Sequence, residues 1–229
     1  DMLVAETDSS VHDNRIAPTW PGVEQGSIEQ AAMLLDAAER PVALVGGGGW
    51  DVAGRGGRAA LAAFTDYASR ASLPVVVTFR HQDLIDNHSS VFVGDAGFGM
   101  APHVRDTLAR SDLLLAINVR FGETATDGYT LFDMPTPRQT LVHVHPSDDE
   151  LGKIYQTPHA IHGSPAAFLA GLATREPKSP GPARRAWATE ARHGYLSSFE
   201  LPPQPGPVDM GRVMEHLREV LPGDAIITN

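Results

Sequence analysis

Short apolar segments alternate along the chain with longer segments in which apolar residues recur every three or four positions. The short segments have the length and composition of buried strands, predicted at 42–45, 74–78, 113–118, 140–145 and 160–162. The periodic segments predict helices, at 28–38, 58–70, 102–110 and 165–172. This alternation is typical of an α/β domain, in which helices cover both faces of a mostly parallel sheet of five or six strands.

Two long connections follow the second and third predicted strands. Residues 79–100, rich in Gly, Asp and His, are expected to form one loop, and the loop after the third strand carries Arg120, Glu123 and Asp127. A short helix is predicted at 148–155. Because right-handed crossovers bring the carboxyl ends of parallel strands to one edge of the sheet, both loops are expected where α/β proteins bind ligands.

Composition divides the chain into four parts. The stretch before residue 27 contains prolines and glycines that break any period, and two proline-rich stretches surround a predicted helix after residue 173. The strand-like run at 225–228 ends one residue before the chain does, which we interpret as the sign of a piece of a longer polypeptide. The predicted parts are a leading linker, a main domain, a linker with a helix and the start of a further domain, at 1–26, 27–173, 174–207 and 208–229.

Charge and composition exclude several classes of function. The 229 residues carry a formal net charge of −10 and show no basic stripe, which argues against a nucleic-acid partner. The chain has no cysteine, which excludes disulfides and thiolate metal sites. No apolar run approaches the roughly 20 residues that span a bilayer, and no signal-peptide pattern is found, so we expect a cytoplasmic protein without a membrane partner.

The most informative motif is a run of glycines directly after an apolar strand. Residues 40–45 lead into four glycines at 46–49, so the strand opens into a loop without side chains. A flat or anionic ligand can approach such a bare backbone, and we therefore predict a nucleotide or cofactor site at this edge. The alternative is a glycine-rich turn without a ligand. The run is not a dinucleotide fingerprint, because Asp51 replaces the third glycine and Thr78 replaces the acid that would bind the ribose.

Two arginines follow strand ends at the same edge. Arg120 comes directly after the third predicted strand, and Arg80 follows the second. The planar guanidinium group suits a pyrophosphate or a carboxylate. The alternative for each arginine is a surface ion pair.

Two histidines alternate along the fourth predicted strand. His143 and His145 share a face about 7 Å apart, and Asp148 or Asp149 could complete a metal site with them. The alternative is that the histidines are satisfied by hydrogen bonds near the strand end, and we assign no metal site. No nucleophile-elbow motif is present, so the sequence assigns no catalytic residue.

Four segments, taken in order, resemble the central domain of thiamine-diphosphate-dependent enzymes, and most closely the acetolactate synthase branch. These segments lie at 40–48, 73–78, 111–121 and 142–147. The resemblance covers residues 27–173 and implies a three-layer Rossmann-like fold of the DHS-like NAD/FAD-binding type. Residues 208–229 resemble the start of the diphosphate-binding domain that follows in such enzymes, and residues 1–4 resemble the end of the preceding pyrimidine-binding domain.

The resemblance implies a larger parent enzyme, a lyase or transferase in which thiamine diphosphate attacks a 2-keto acid. The residues that activate the thiamine diphosphate and hold its magnesium would lie outside this chain, so the fragment itself is expected to show no turnover. The parent enzyme would be a homodimer or homotetramer, and the rest of its polypeptide would be the main partner of this domain.

In the acetolactate synthase branch the central domain binds FAD. The resemblance places the cofactor-binding residues after the strand ends, at Gly46, Gly47, Gly48, Thr78, Phe79, Asn118, Val119, Arg120, Glu123, His145 and Pro146. Two positions depart from the family pattern: His145 replaces the acid that binds the ribose, and Ser164 replaces another acid. FAD, ADP and no nucleotide therefore stay open, and the alternatives to a part of a larger enzyme are a stand-alone FAD- or ADP-binding module and a non-binding scaffold for oligomer assembly.

Overall fold

The computed structural model describes residues 19–50, 56–200, 202 and 204–225. Most of the leading linker, at 1–18, lies outside the described residues, as does Asp51. The strand predicted at 225–228 lies outside them too, apart from Ala225. Among the described residues, no helix combines the length and the apolar character that crossing a bilayer requires.

One parallel sheet organises the described part of the chain. Its six strands are β1 Pro41–Val45, β2 Val75–Thr78, β3 Phe92–Ala96, β4 Leu113–Ile117, β5 Thr140–His145 and β6 His159–His162. Their order in the sheet is β3-β2-β1-β4-β5-β6, and every neighbouring pair is parallel. The predicted α/β fold with a parallel sheet of five or six strands is confirmed.

Helices cover both faces of this sheet. They are α1 Gln25–Ala37, α2 Gly57–Ala71, α3 Pro102–Arg110, α4 Pro165–Ala173, α5 Pro182–Ser197 and α6 Met210–Val220. Alternate residues of β1 enter opposite core clusters: Ala43 and Val45 pack with α1, α2 and α4, whereas Val42 and Leu44 pack with α3 and α5. The result is the three-layer, Rossmann-like architecture expected of strands that are buried on both faces.

The prediction of a single loop at 79–100 is wrong, because β3 lies within it. Gly94 and Asp95 interrupt the apolar pattern of this strand, so its sequence gives a weak strand signal. The glycine is required by packing: its φ is +120°, and a Cβ would lie 2.7 Å from Val104 Cγ2 on α3. As an edge strand, β3 needs only one partner in the sheet, and its register with β2 shifts between Val75 and Val77.

The helix predicted at 148–155 is also wrong. Only Asp148–Glu150 forms a single 3-10 turn there. Gly152 follows with a φ of +73°, and this left-handed conformation ends helical geometry.

The helix predicted after residue 173 is α5, and it packs tightly on the domain. Trp187 is 4% exposed and its indole Nε1 donates to the carbonyl oxygen of Pro41 at 2.9 Å, which ties α5 to the start of β1. Arg192 donates through Nη1 to the carbonyl oxygen of Phe92 on β3 at 2.7 Å. The imidazole Nε2 of His103 lies 3.0 Å from the carbonyl oxygen of Val93 on the same strand.

A buried histidine lies inside the sheet on β5. His143 is 1% exposed, and its Nε2 donates to the carbonyl oxygen of Val119 at 2.9 Å. Nδ1 is buried without a partner among the described residues. Burial lowers the pKa of His143 from 6.5 to about 4, so the ring is neutral near pH 7.

We expect Trp187→Ala to destabilise the protein by about 3–5 kcal/mol, because it leaves a large cavity under α5 and removes the bond to Pro41. Trp187→Phe keeps most of the packing and should cost about 1–2 kcal/mol. Leu196→Ala is the matched control, since this side chain on the same helix is 51% exposed. Urea unfolding measures all three variants, and equal stability of Trp187→Ala and Leu196→Ala would show that α5 does not contribute to the fold.

The free energy of unfolding is expected to fall as the pH falls from about 6.5 to 4. In this range the unfolded chain binds a proton at His143 and the folded chain does not, so acid favours the unfolded state. The effect amounts to on the order of 3 kcal/mol at the acid end of this range. His143→Gln keeps a hydrogen-bond donor but does not titrate, so its free energy of unfolding should fall less over the same range. Urea unfolding at pH 4.5 and 7.5 tests this, and the value at pH 7.5 gives the structural cost of the substitution. Parallel pH profiles would contradict the expectation.

Candidate functional site

A crevice of about 730 Å³ opens at the carboxyl edge of the sheet. It lies where the strand order changes direction, between β1 and β4, which is the usual ligand position in open α/β sheets. The loops after β2, β1, β4 and β5 form its walls together with Thr19–Pro21. With strands about 4.8 Å apart, these four strands span about 14 Å. This volume and length suit an extended small molecule of nucleotide size.

Three of the four glycines after β1 are explained by the packing of the protein itself. A Cβ on Gly46 would lie 2.3 Å from Thr78 Oγ1, and one on Gly47, whose φ is +68°, would lie 2.4 Å from Asn118 Nδ2. Gly49 has a φ of +89°, and its Cβ would lie 3.1 Å from the ring of Trp20. Gly48 differs, because a Cβ there would meet no described atom within 4 Å. The described residues therefore leave open space at Gly48, beside the crevice.

Asn118 joins the end of β4 to the glycine loop. Its φ is +56°, a left-handed conformation that asparagine tolerates better than most residues. The side-chain Nδ2 donates to the carbonyl oxygen of Gly48 at 3.1 Å, and the backbone N–H donates to Val144 on β5 at 2.8 Å. These two bonds fix the floor of the crevice between β1 and β5.

The wall beyond β2 combines a hydroxyl, an imidazole and an aromatic ring. Thr78 Oγ1 lies 3.1 Å from His81 Nδ1, which lies 2.8 Å from the carbonyl oxygen of Phe79. The Phe79 ring meets Phe98 edge to face, with 5.2 Å between centroids. Arg80 lies outside the crevice lining, with its guanidinium carbon 5.0 Å from the centroid of the Phe79 ring. Of the two arginines that follow strand ends, only Arg120 contributes to the crevice.

The wall beyond β4 carries opposite charges. Arg120 and Glu123 are both exposed and both line the crevice. Arg120 forms no ion pair with any described residue, so none of these residues competes with a ligand for its guanidinium group. Asp127 lies away from the crevice and pairs with Arg105.

The wall beyond β5 is formed by His145, Pro146 and Ser147. His145 is 3% exposed, and its Nδ1 lies 3.1 Å from both the backbone nitrogen and the carbonyl oxygen of Ser147. Burial lowers the pKa of His145 below its ordinary value, which favours the neutral ring. The β5 wall thus carries an uncharged imidazole at this position.

The possible metal pair, His143 and His145, does not form a chelate. The ring centroids are 6.0 Å apart, and His143 Nε2 donates its proton in a hydrogen bond to the carbonyl oxygen of Val119. Among the described residues, no group of three histidine, aspartate or glutamate side chains could hold a metal ion. Each histidine contacts a backbone group near the strand end, His143 at Val119 and His145 at Ser147.

Nine of the eleven residues predicted to bind a cofactor line the crevice. The other two, Gly46 and Val119, lie outside the lining and form hydrogen bonds next to it. The Gly46 N–H donates to the carbonyl oxygen of Ile117 at 3.0 Å, and Val119 is fully buried and accepts the bond from His143.

Sequence reasoning missed several lining residues. His81 and Ser147 lie two or three residues beyond a predicted strand end, so extending each strand-end motif would have found them. Trp20 and Pro21 gave no comparable signal, because they precede the first periodic segment of the chain.

The chain matches a protein family over most of the sheet. The match is to "Thiamine pyrophosphate enzyme, central domain" and covers residues 28–172. Among curated proteins, the chain is similar to the acetolactate synthase large subunit of Parasynechococcus marenigrum, with 26% identity over 88% of this chain and 31% of that protein. It is 32% identical to the acetolactate synthase large subunit of Corynebacterium glutamicum over 63% of this chain and 22% of that protein.

A third relative is the acetolactate synthase isozyme 1 large subunit of Escherichia coli, which is 28% identical over 73% of this chain and 27% of that protein. The chain therefore spans less than a third of the length of each of these relatives. The family match covers more than half of the chain, and the parallel sheet changes strand order between β1 and β4. The chain therefore belongs to the central-domain family of thiamine pyrophosphate enzymes, in its acetolactate synthase-like branch.

Proposed function

We propose that this chain is the central domain of a thiamine-diphosphate- and magnesium-dependent enzyme that acts on 2-keto acids, and that its crevice binds a nucleotide cofactor such as FAD or ADP. Family membership and the relatives' names support the first part. The open space at Gly48 carries the second part, because the packing of the described residues does not explain a glycine there.

Thiamine diphosphate and magnesium are assigned to other parts of the parent enzyme. The donor set of the described residues supports this assignment, since it offers no cluster of three candidate metal ligands. In the parent enzyme, thiamine diphosphate would supply the electron sink for the 2-keto acid. The contribution of this chain is then to bind, orient and support, and no reaction step is assigned to its residues.

The diphosphate of the nucleotide is expected to lie between the glycine loop and Arg120. Gly48 leaves room for a phosphate group beside the backbone, and Asn118 keeps that backbone in place. The exposed guanidinium group of Arg120 supplies charge-assisted hydrogen bonds from the opposite wall.

The ribose hydroxyls need an acceptor, and neither Thr78 nor the neutral His145 provides a carboxylate. Glu123 is the acidic residue found in the described crevice lining. We assign the ribose to Glu123, with the Thr78 hydroxyl as a weaker acceptor on the facing wall. In this proposal Glu123, in the loop after β4, takes the role that the family resemblance gives to an acid at the end of β5.

A scaffold role has its own support in α6. Val213, Met214 and Val220 are exposed on this strongly amphipathic helix, with 36%, 43% and 58% of their surfaces accessible. An apolar face of this kind suits a contact with another domain of the same polypeptide. Such a contact is compatible with a nucleotide in the crevice, at the carboxyl edge of the sheet.

We expect Arg120→Gln to weaken FAD or ADP binding about tenfold, because it removes charge-assisted bonds to the diphosphate. Arg80→Gln is the matched control, since Arg80 follows β2 in a similar place but packs on Phe79 outside the crevice. Its affinity should stay within about twofold of that of the unaltered protein. Isothermal titration calorimetry measures both variants. Absence of heat with FAD and with ADP in the unaltered protein would refute nucleotide binding.

Gly48→Ala is expected to weaken nucleotide binding about fivefold or more while changing the free energy of unfolding by less than about 1 kcal/mol, because its Cβ meets ligand rather than protein. Gly47→Ala should instead destabilise the fold by about 2 kcal/mol or more, since its Cβ would overlap Asn118 and its φ is left-handed. Thermal unfolding with and without nucleotide separates the two effects. Normal nucleotide affinity in Gly48→Ala would place the ligand away from the glycine loop.

A further inference from the structure

The segment before α1 forms a fixed wall of the crevice. The carbonyl oxygen of Pro21 accepts a hydrogen bond from the Ser164 N–H at 2.9 Å, at the start of α4. Val23 packs against the same turn, where a Cβ on Gly163 would lie 2.5 Å from Val23 Cγ2. Trp20, one residue before Pro21, is therefore held in position from one side by the turn between β6 and α4.

The ring of Trp20 lies over the glycine loop. Its Cζ2 and Cη2 atoms are 3.1 Å from the position that a Cβ on Gly49 would take. Trp20 and Gly48 both line the crevice, and Gly48 is the member of the 46–49 glycine run around which the described residues leave open space. The indole thus stands next to the space that the proposed function gives to the nucleotide.

The three tryptophans of the chain have different surroundings. Trp50 and Trp187 are 5% and 4% exposed, and neither belongs to the crevice lining. Trp20 is only half-buried and belongs to the crevice lining. It also precedes residue 28, where the family match begins, so the family pattern assigns it no role.

We propose that Trp20 is the platform on which the flat heteroaromatic ring of the nucleotide stacks. The inference rests on the proposed function and adds to it the position of the ring. Bases and flavins both present a π-face, and an aromatic side chain stacks on either without reading its hydrogen-bonding edge. The ring lies against Trp20 beside the glycine loop, and the phosphates extend from there toward Arg120.

The test compares the full 229-residue chain with its Trp20→Ala and Trp20→Phe variants. Calorimetric titration with ADP and, separately, with FMN distinguishes an adenine ring from an isoalloxazine ring. Trp20→Ala should weaken binding of the ligand whose ring stacks by about tenfold, whereas Trp20→Phe, which keeps an aromatic face, should stay within about threefold.

Fluorescence provides a readout that a structural role would not change. Adenine in contact with an indole quenches its emission, so ADP should reduce the fluorescence of the unaltered protein by a clearly larger amount than that of Trp20→Phe, in which Trp50 still lies beside the glycine loop. FMN is omitted from this arm, because energy transfer to the flavin would quench all three tryptophans. If calorimetry shows that FMN binds and ADP does not, the test is the affinity for FMN. Stacking predicts that this affinity falls in Trp20→Ala and stays close to that of the unaltered protein in Trp20→Phe.

The possible failures are distinguishable. If the unaltered protein binds ADP or FMN and Trp20→Ala binds it equally well, stacking on Trp20 is refuted and the proposed function stands. Equal quenching by ADP in the unaltered protein and in Trp20→Phe would likewise refute it. If the unaltered protein binds neither ligand, the stacking inference fails together with nucleotide binding.

Discussion

The crevice depends on how closely the ends of β1 and β4 approach each other. Asn118 adopts a left-handed conformation directly after β4, and its side chain holds the carbonyl oxygen of Gly48. Gly47 approaches this asparagine so closely that a single Cβ would lie 2.4 Å from its amide nitrogen. Only a residue without a side chain permits this approach, so one steric constraint fixes both the glycine at 47 and the shape of the crevice floor.

The charges around the floor then determine which ligands the crevice suits. Burial keeps His143 and His145 neutral, so the β5 wall contributes hydrogen bonds without a fixed charge. Arg120 brings a permanent cation to the crevice, and Glu123 adds a carboxylate on the same loop. A molecule with an anionic centre and hydroxyl groups complements this arrangement better than a wholly apolar one does.

The sequence predicts those features that depend on local patterns. The apolar segments at 42–45 and 140–145 contain most of β1 and all of β5, and nine of the eleven residues implied by the family resemblance line the crevice. The failures have physical causes. β3 is an edge strand whose pattern is broken by Gly94, and the glycine is explained only by its packing against Val104. Trp20 reaches the crevice through a tertiary contact with the start of α4, which no local pattern encodes.

The position of α5 over β3 bears on how copies of this domain could associate. The carbonyl oxygens of Phe92 and Val93 are already bonded to Arg192 and His103, which belong to α5 and α3. An incoming strand from another molecule would have to compete with both side chains for these acceptors. Edge-to-edge sheet extension at β3 is therefore disfavoured, which limits aggregation through this edge of the sheet.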